Sequence, residues 1–265
     1  MRALILSDIH ANLEALEAVL TAAEGLYDEI WNLGDLVGYG GAPNQVIDRI
    51  RPLQTLVVRG NHDRVCCGLT SALGFNPVAR AAATWTNHEL SPENLAWLKE
   101  LPQGPVSPAE SGIACAHGSP LDEDRYILTA RDAWAPLQQM ATPITFFGHT
   151  HIQGGFSQIG DRWNELRPAI SRPRPATLAD ATGNLTQPES STITLPPGTR
   201  HLINPGSVGQ PRDFDWRAAF AIFTTTPDET QIAFHRVPYD LISSQGRILM
   251  AGLPERLAAR LREGR

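Results

Sequence analysis

Two histidines one residue apart, His149 and His151, sit in the fragment TFFGHTHIQGG (145–155), directly after an apolar pair. Asp8 and His10 repeat that spacing after the apolar run ALIL (3–6). Asp35 follows EIWNL (29–33), Asn61 and His62 follow TLVV (55–58), and His117 follows GIACA (112–116). Taken singly, each has an ordinary use, since carboxylates cap helices and a lone histidine packs in a core or a turn. Together they place five of the eight histidines at the ends of short apolar runs. The donors are carboxylate, imidazole and amide, with no thiolate. Such a set suits Mn²⁺, Fe, Co²⁺, Ni²⁺ or Zn²⁺ better than Ca²⁺ or a structural zinc ion. It holds more donors than one open catalytic ion needs, and two ions sharing a carboxylate would use them all.

The elements that must position these residues are legible as alternating patterns. Apolar runs of four or five residues bounded by Gly, Asp or Asn suit strands buried on both faces. Between them, NLEALEAVLTAAE (12–24) puts Leu13, Leu16, Val19 and Leu20 on one helical face. APNQVIDRI (42–50), NPVARAAATWTNHEL (76–90) and SPENLAWLKEL (91–101) also read as helices, the last with serine at the cap and Pro92 in the first turn. This order predicts an α/β fold containing βαβ units, with ligands beyond the carboxyl ends of the strands. In extended chain, Asp8 and His10 would point the same way, as would His149 and His151, roughly 6.5–7 Å apart. The flanking glycines, Gly34, Gly60, Gly118 and Gly148, allow close backbone approach.

After Phe156 the character changes. Residues 157–200 are rich in Pro, Ser and Thr without sustained periodicity, and read as a partly disordered surface insertion. TITL (192–195), HLIN (201–204), AAFAIF (218–223) and QIAFHRV (231–237) read as strands, paired antiparallel, and 240–265 as an amphipathic helical tail. The expectation is a single domain over residues 1–265.

The formal net charge of −6 excludes a diffuse basic surface for non-specific nucleic-acid binding, so positive charge for handling phosphate must be local. The first apolar run is too short for a signal peptide or a membrane span, which need about 7–15 and about 20 residues. Cys66 and Cys67 are adjacent, which is poor disulfide geometry, and the three cysteines fit a reducing compartment. The expected location is cytoplasmic, with no membrane partner; the oligomeric state is not readable.

The ordered set DxH, GD, GNHD, a lone strand-end histidine and GHTH resembles the calcineurin-like metallophosphoesterases. GDLVGYG (34–40) and NPGSVGQPRD (204–213) further resemble the small prokaryotic branch that includes bacterial phosphodiesterases. The resemblance implies a four-layer αββα sandwich of two mixed β-sheets flanked by helices. It implies two divalent transition-metal ions, manganese first, with iron, nickel, cobalt or zinc as alternatives. Asp8, His10, Asp35 and His151 would hold the first ion. Asp35 would bridge to a second, completed by Asn61, His117 and His149. His62 would be the catalytic histidine beside the scissile phosphate. The implied activity is hydrolysis of a phosphate ester, a small molecule or nucleotide, by a metal-bridging hydroxide. Phosphodiesters lead; a phosphomonoesterase or protein Ser/Thr phosphatase is the alternative, and a non-catalytic scaffold the second.

The sequence departs from the family pattern at Gly38, where many members carry a second aspartate that orients the catalytic histidine. Asp63 or a backbone group could hold His62 instead. Arg212, Tyr39 and Arg64 are candidate substrate contacts, although Arg212 could equally pair with Asp213 or Asp215 and Tyr39 could belong to a plain turn. His88, His201 and His235 lie outside every motif and are read as structural.

Overall fold

Alternate residues of the first strand face different surroundings, and this parity organises the molecule. The computed structural model describes residues 1–53, 56–108, 111–173, 176 and 187–265. β1 (Arg2–Leu6) leads through α1 (Leu13–Ala22), β2 (Glu29–Asn32) and α2 (Pro43–Ile50) to β3 (Leu56–Val57). These are βαβ units, with β1 parallel to β2 and β2 parallel to β3. Then come α3 (Asn61–Cys66), α4 (Pro77–Glu89), α5 (Pro92–Glu100), β4 (Ile113–Cys115), α6 (Ala130–Gln139) and β5 (Ile144–Phe146). The second half comprises β6 (Gly154–Ile159), β7 (Arg162–Leu166), β8 (Glu189–Thr194), β9 (Arg200–Asn204), β10 (Ala218–Thr225), β11 (Thr230–Val237), α7 (Leu241–Met250) and α8 (Glu255–Leu261).

The strands form two mixed sheets, β3-β2-β1-β10-β11-β8 and β4-β5-β9-β6-β7. Leu4 and Leu6 point to a core shared with α1, α2, α7 and α8, including Leu16, Val19, Ile47, Ile248 and Leu257. Ala3 and Ile5 point the other way, into the layer between the sheets with Trp31, Phe146, Ile203 and Phe223. Phe146 and Phe147 divide likewise: Phe146 faces the other sheet, and Phe147 joins Ala133 and Leu137 of α6 on the outer side. The layers are therefore helix, sheet, sheet, helix. Phe146 and Phe223 are edge-on with ring centroids 5.4 Å apart, and fully burying each ring stabilises the inter-sheet layer by roughly 1.5–3 kcal/mol.

The helices begin where side chains satisfy free N–H groups. Asn12 accepts from the backbone of Ala15 ahead of α1, and Ser91 from Asn94 ahead of α5. Pro43, Pro77 and Pro92 occupy first-turn positions, where a missing N–H costs nothing.

Three features differ from the sequence expectation. Residues 157–166, read as irregular insertion, complete β6 and form β7, a hairpin that pairs through β6 with β9. β6 buries Gly154, Phe156 and Ser157, only one of them a large apolar residue, and β7 is largely exposed, so no apolar run marks them. β9 does not join β8, β10 and β11 but lies parallel to β5 in the other sheet. α6 follows no long apolar stripe, because Pro136 interrupts it and only Ala133, Pro136 and Leu137 are buried; its start is a Thr129–Asp132 capping box. The expected disorder within 157–200 falls in part on residues 174–175 and 177–186, which lie outside the described residues. No helix among the described residues is long and apolar enough to cross a membrane.

Candidate metal centre

The loops leaving the carboxyl ends of β1 to β5 converge, although these strands belong to two different sheets. Asp8, His10, Asp35 and His151 bring one ligand atom each within 4.8 Å of one another, and Asp35, His117 and His149 do the same. Asn61 completes the second group, its Oδ1 lying 3.1 Å from His117 Nε2. Asp35 Oδ2 is common to both, 3.6 Å from His10 Nε2 and 3.4 Å from His117 Nε2. All seven residues expected around the ions are thus gathered, and every carboxylate and imidazole of the set is buried.

The backbone achieves this differently from the extended geometry expected. Asp8, His10, Asp35, His149 and His151 all have positive φ, between 50° and 66°. Non-glycine residues in this left-handed region are uncommon and strained, with Asp, Asn and His among the more tolerant. The strands stop at Leu6 and Phe146, and tight turns rather than strand continuations carry the ligands. Gly148 is required here, because a methyl at that position would overlap Ser7 Oγ and meet Asp8 Oδ2 at 2.9 Å.

Each imidazole is fixed from behind by a backbone carbonyl. His10 Nδ1 faces Val37 O at 3.1 Å, His117 Nδ1 faces Leu33 O at 2.8 Å, His151 Nδ1 faces Gln210 O at 2.6 Å and His149 Nε2 faces Asp124 O at 3.1 Å. A carbonyl only accepts, so the ring proton of each neutral imidazole lies on that side and the lone pair on the other. With all four rings neutral, as ligation requires, two lone pairs meet at 3.2 Å, His10 Nε2 against His151 Nε2, and two more at 3.1 Å, His117 Nε2 against His149 Nδ1. Asp8 Oδ1 and Asp35 Oδ2 are buried with no hydrogen-bond partner among the described residues. Electron pairs aimed inward from carboxylates and imidazoles require positive charge between them, and divalent cations fit this donor set.

The titration behaviour expresses the same demand. Burial pushes Asp8 up to about 7, with nearby Asp35 adding to the effect. Burial also acts to raise Asp35, but His117 and His62 hold its carboxyl well below the usual range. His117 is lowered by burial and then carried up to about 10 by Asp35. Burial drives His10 and His151 well below the ordinary imidazole value and His149 down to about 3.

His62 lies beside this centre, with its backbone N–H donating to Asp35 Oδ1 at 2.8 Å. Asp63 does not orient it. The Asp63 carboxylate accepts from the backbone N–H groups of Asp35, Val37 and Gly60 at 2.8, 3.1 and 2.9 Å, and so ties the two ligand loops together. The His62 ring instead packs between Tyr39 and Phe75, at centroid distances of 4.3 and 4.5 Å. Its Nδ1 is buried without a hydrogen-bond partner and faces Gly38, where an added Cβ would come within 2.6 Å. Burial lowers its pKa to about 4. Gly38 therefore makes room for an apolar clamp in place of a carboxylate. Gly38→Ala is expected to push the ring aside and reduce turnover by about 10-fold, as displacement of a reacting group by under 1 Å does, with the metal content unchanged. Steady-state rates and elemental analysis of the same preparation check this.

Among the candidate contacts, Tyr39 packs against His10 as well, at 4.7 Å. Arg212 pairs with neither Asp213 nor Asp215, which are engaged by Arg236 and Arg217. Its guanidinium lies 5.9 Å from the Tyr39 ring centroid, and its Nε is buried and unpartnered. Arg64 is already neutralised, bonded to Glu123 and, at 2.8 Å, to Asp124. Tyr126, which sequence reasoning missed, stacks on His149 at 3.9 Å. Neither it nor Phe75 carries a sequence signal, since both lie in irregular segments. His88, His201 and His235 belong to neither group of ligand atoms.

The sequence model of the calcineurin-like phosphoesterase superfamily domain matches residues 1–228. An uncharacterized protein of Methanocaldococcus jannaschii is 34% identical over 263 residues, covering 98% of this chain and 97% of its own length. A crystal structure of a metallophosphoesterase from Sphaerobacter thermophilus superposes with a TM-score of 0.79 at 38% identity, covering 100% of this chain and 99% of that one.

Proposed function

The chain belongs to the calcineurin-like phosphoesterase superfamily and is a metal-dependent phosphoesterase, and from that premise we propose that it hydrolyses phosphodiesters with two divalent ions held by seven side chains. Asp8, His10, Asp35 and His151 hold one; Asn61, His117, His149 and the shared Asp35 hold the other. The observation that carries this is the inward convergence of imidazole lone pairs and unpartnered carboxylate oxygens around Asp35. Divalent ions bound there supply Lewis acidity toward phosphate oxygens and lower the pKa of water.

The protein's own groups do the remaining work. The carbonyls of Val37, Leu33, Gln210 and Asp124 keep each imidazole in the tautomer that can ligate. Asn61 contributes a neutral oxygen and leaves the centre's positive charge undiminished. His62 donates a proton, once a phosphate anion beside it raises the pKa that burial lowers to about 4, or else a hydrogen bond, to the departing oxygen, and Tyr39 with Phe75 fixes its ring. Arg212 offers a guanidinium to a substrate phosphate. Retention of every one of these groups is unnecessary for a scaffold and supports the enzymatic reading. Manganese is the leading ion. A cytoplasmic location is consistent with three cysteines that are all free and buried.

The test is to strip the protein with chelator, restore Mn²⁺, Ni²⁺, Zn²⁺ or Mg²⁺ in turn, and compare a bis-aryl phosphodiester with an aryl monoester. Manganese-dependent preference for the diester is expected. Preference for the monoester would replace the proposal with phosphomonoesterase activity, and absence of turnover with every ion in a folded protein would leave a scaffold.

A further inference from the structure

A cleft of about 860 Å³ opens beside the proposed metal centre, lined in part by Tyr39, Tyr126, Arg212, Arg256, Arg260 and Arg265. It is continuous with the ligands. Tyr39 packs on His10 and His62, Tyr126 stacks on His149, and the Arg212 backbone N–H donates to His151 O at 3.2 Å. Its far wall is α8 and the chain's last residues. A single carboxylate, Glu263, lies in the lining, and it is paired with Arg265 at 3.4 Å. Among the described residues, no aspartate or glutamate pairs with Arg212, Arg256 or Arg260; Arg260 Nε donates to Arg265 O and Arg212 Nη2 to Gln210 Oε1 at 3.2 Å, on a chain whose formal net charge is −6.

Guanidinium groups crowded together without carboxylates repel one another, and that arrangement favours a polyanionic occupant. Arg260 registers the repulsion: burial, then Arg212 and Arg256, lower its pKa to about 10. A single scissile phosphate would be served by the metal centre and Arg212 alone. Arg256 and Arg260, one helical turn apart on α8, need further negative charge to face.

We infer that the substrate carries an oligophosphate chain, which lies in this arginine-lined cleft while the terminal, esterified phosphate is hydrolysed at the metal centre. This rests on the phosphoesterase reading above. Water is consumed, the bond from phosphorus to the ester oxygen breaks, and the departing alcohol takes the proton while the phosphate chain stays bound by the arginines.

The test uses the full chain with the double substitution Arg256→Ala/Arg260→Ala, and Arg256→Lys/Arg260→Lys as the charge-retaining control. Two chromogenic esters are compared with manganese present: bis(p-nitrophenyl) phosphate and the γ-p-nitrophenyl ester of a nucleoside triphosphate. The ratio of kcat/KM for the triphosphate ester over the simple diester is expected to fall about 20-fold in the alanine variant, the scale of losing two partly exposed charge contacts. The loss should lie mainly in KM, and the lysine variant should recover most of it. In parallel, calorimetry with inorganic tripolyphosphate in excess chelator reads the cleft without turnover; binding by the wild type, weakened at least about 10-fold in the alanine variant, is expected. An unchanged ratio with no tripolyphosphate binding, while the simple diester is still hydrolysed, overturns the cleft assignment and leaves the phosphoesterase reading intact. Tripolyphosphate binding lost in the variant, with neither ester hydrolysed by the wild type, overturns the reaction and retains the cleft as an oligophosphate site.

Discussion

Asp35→Asn is expected to lower kcat/KM by at least about 10³-fold, because Asp35 is proposed to be common to two catalytic ions, and removing such a ligand would cost affinity for both and disable their shared chemistry. Asp35 Oδ2 is the atom between the two clusters, within 3.6 Å of His10 and 3.4 Å of His117. An amide there is neutral, so it removes one of the two negative charges that would hold the ions. Its nitrogen, if turned inward, carries hydrogens and cannot ligate. The other oxygen, Oδ1, accepts from the His62 backbone, and an asparagine can keep that bond, so the loop need not collapse. Elemental analysis after gel filtration should show both ions depleted, while circular dichroism should show a folded chain. A variant that keeps two ions per chain would contradict the assignment of Asp35 as the shared ligand.

His62→Ala is expected to reduce kcat by about 10²–10³-fold, within the range of losing a positioned general acid, with bound metal near the wild-type level. The backbone N–H that reaches Asp35 survives the substitution, and no His62 side-chain atom belongs to either ligand cluster. The gap left between Tyr39 and Phe75 costs stability on the order of 1–3 kcal/mol, the lower part of the range for large-to-small changes at buried sites, which thermal unfolding measures. The chemistry has its own signature. If His62 assists the departing oxygen, the loss should be smaller for a nitrophenolate, which leaves unaided, than for an unsubstituted phenolate. Equal losses with both esters would assign His62 to binding or charge stabilisation, and loss of metal would make it a structural support of Asn61.

Four of the proposed metal ligands were legible because each is a polar residue within two positions of the end of a short apolar run, so type and place coincide. Asp8, Asp35, His117 and His149 satisfy that rule, and their order supplies the family resemblance. The path of the backbone was not legible. A one-residue spacing reads as extended chain, whereas His10 and His151 sit in left-handed turns, and only three-dimensional crowding reveals why. The role of Asp63 was hidden for the same reason: besides Gly60, its partners are backbone N–H groups 26 and 28 residues away in the chain. The sheets follow a similar division. β1 and β10 announce themselves as continuous apolar runs buried on both faces. β7 has no fully buried residue, so nothing in its composition separates it from the proline-rich stretch that follows. Phe75, Tyr126 and the arginines of α8 reach the site from segments with no motif, and their relevance comes from proximity alone.

The central claim is that seven side chains from five strand ends surround a pair of cations joined by Asp35. Anomalous diffraction at the manganese edge, on crystals grown with Mn²⁺, tests it directly. Two peaks on either side of the Asp35 carboxylate are predicted, one among Asp8, His10 and His151 and the other among Asn61, His117 and His149. One peak in an active enzyme, or peaks that Asp35 does not touch, would contradict it.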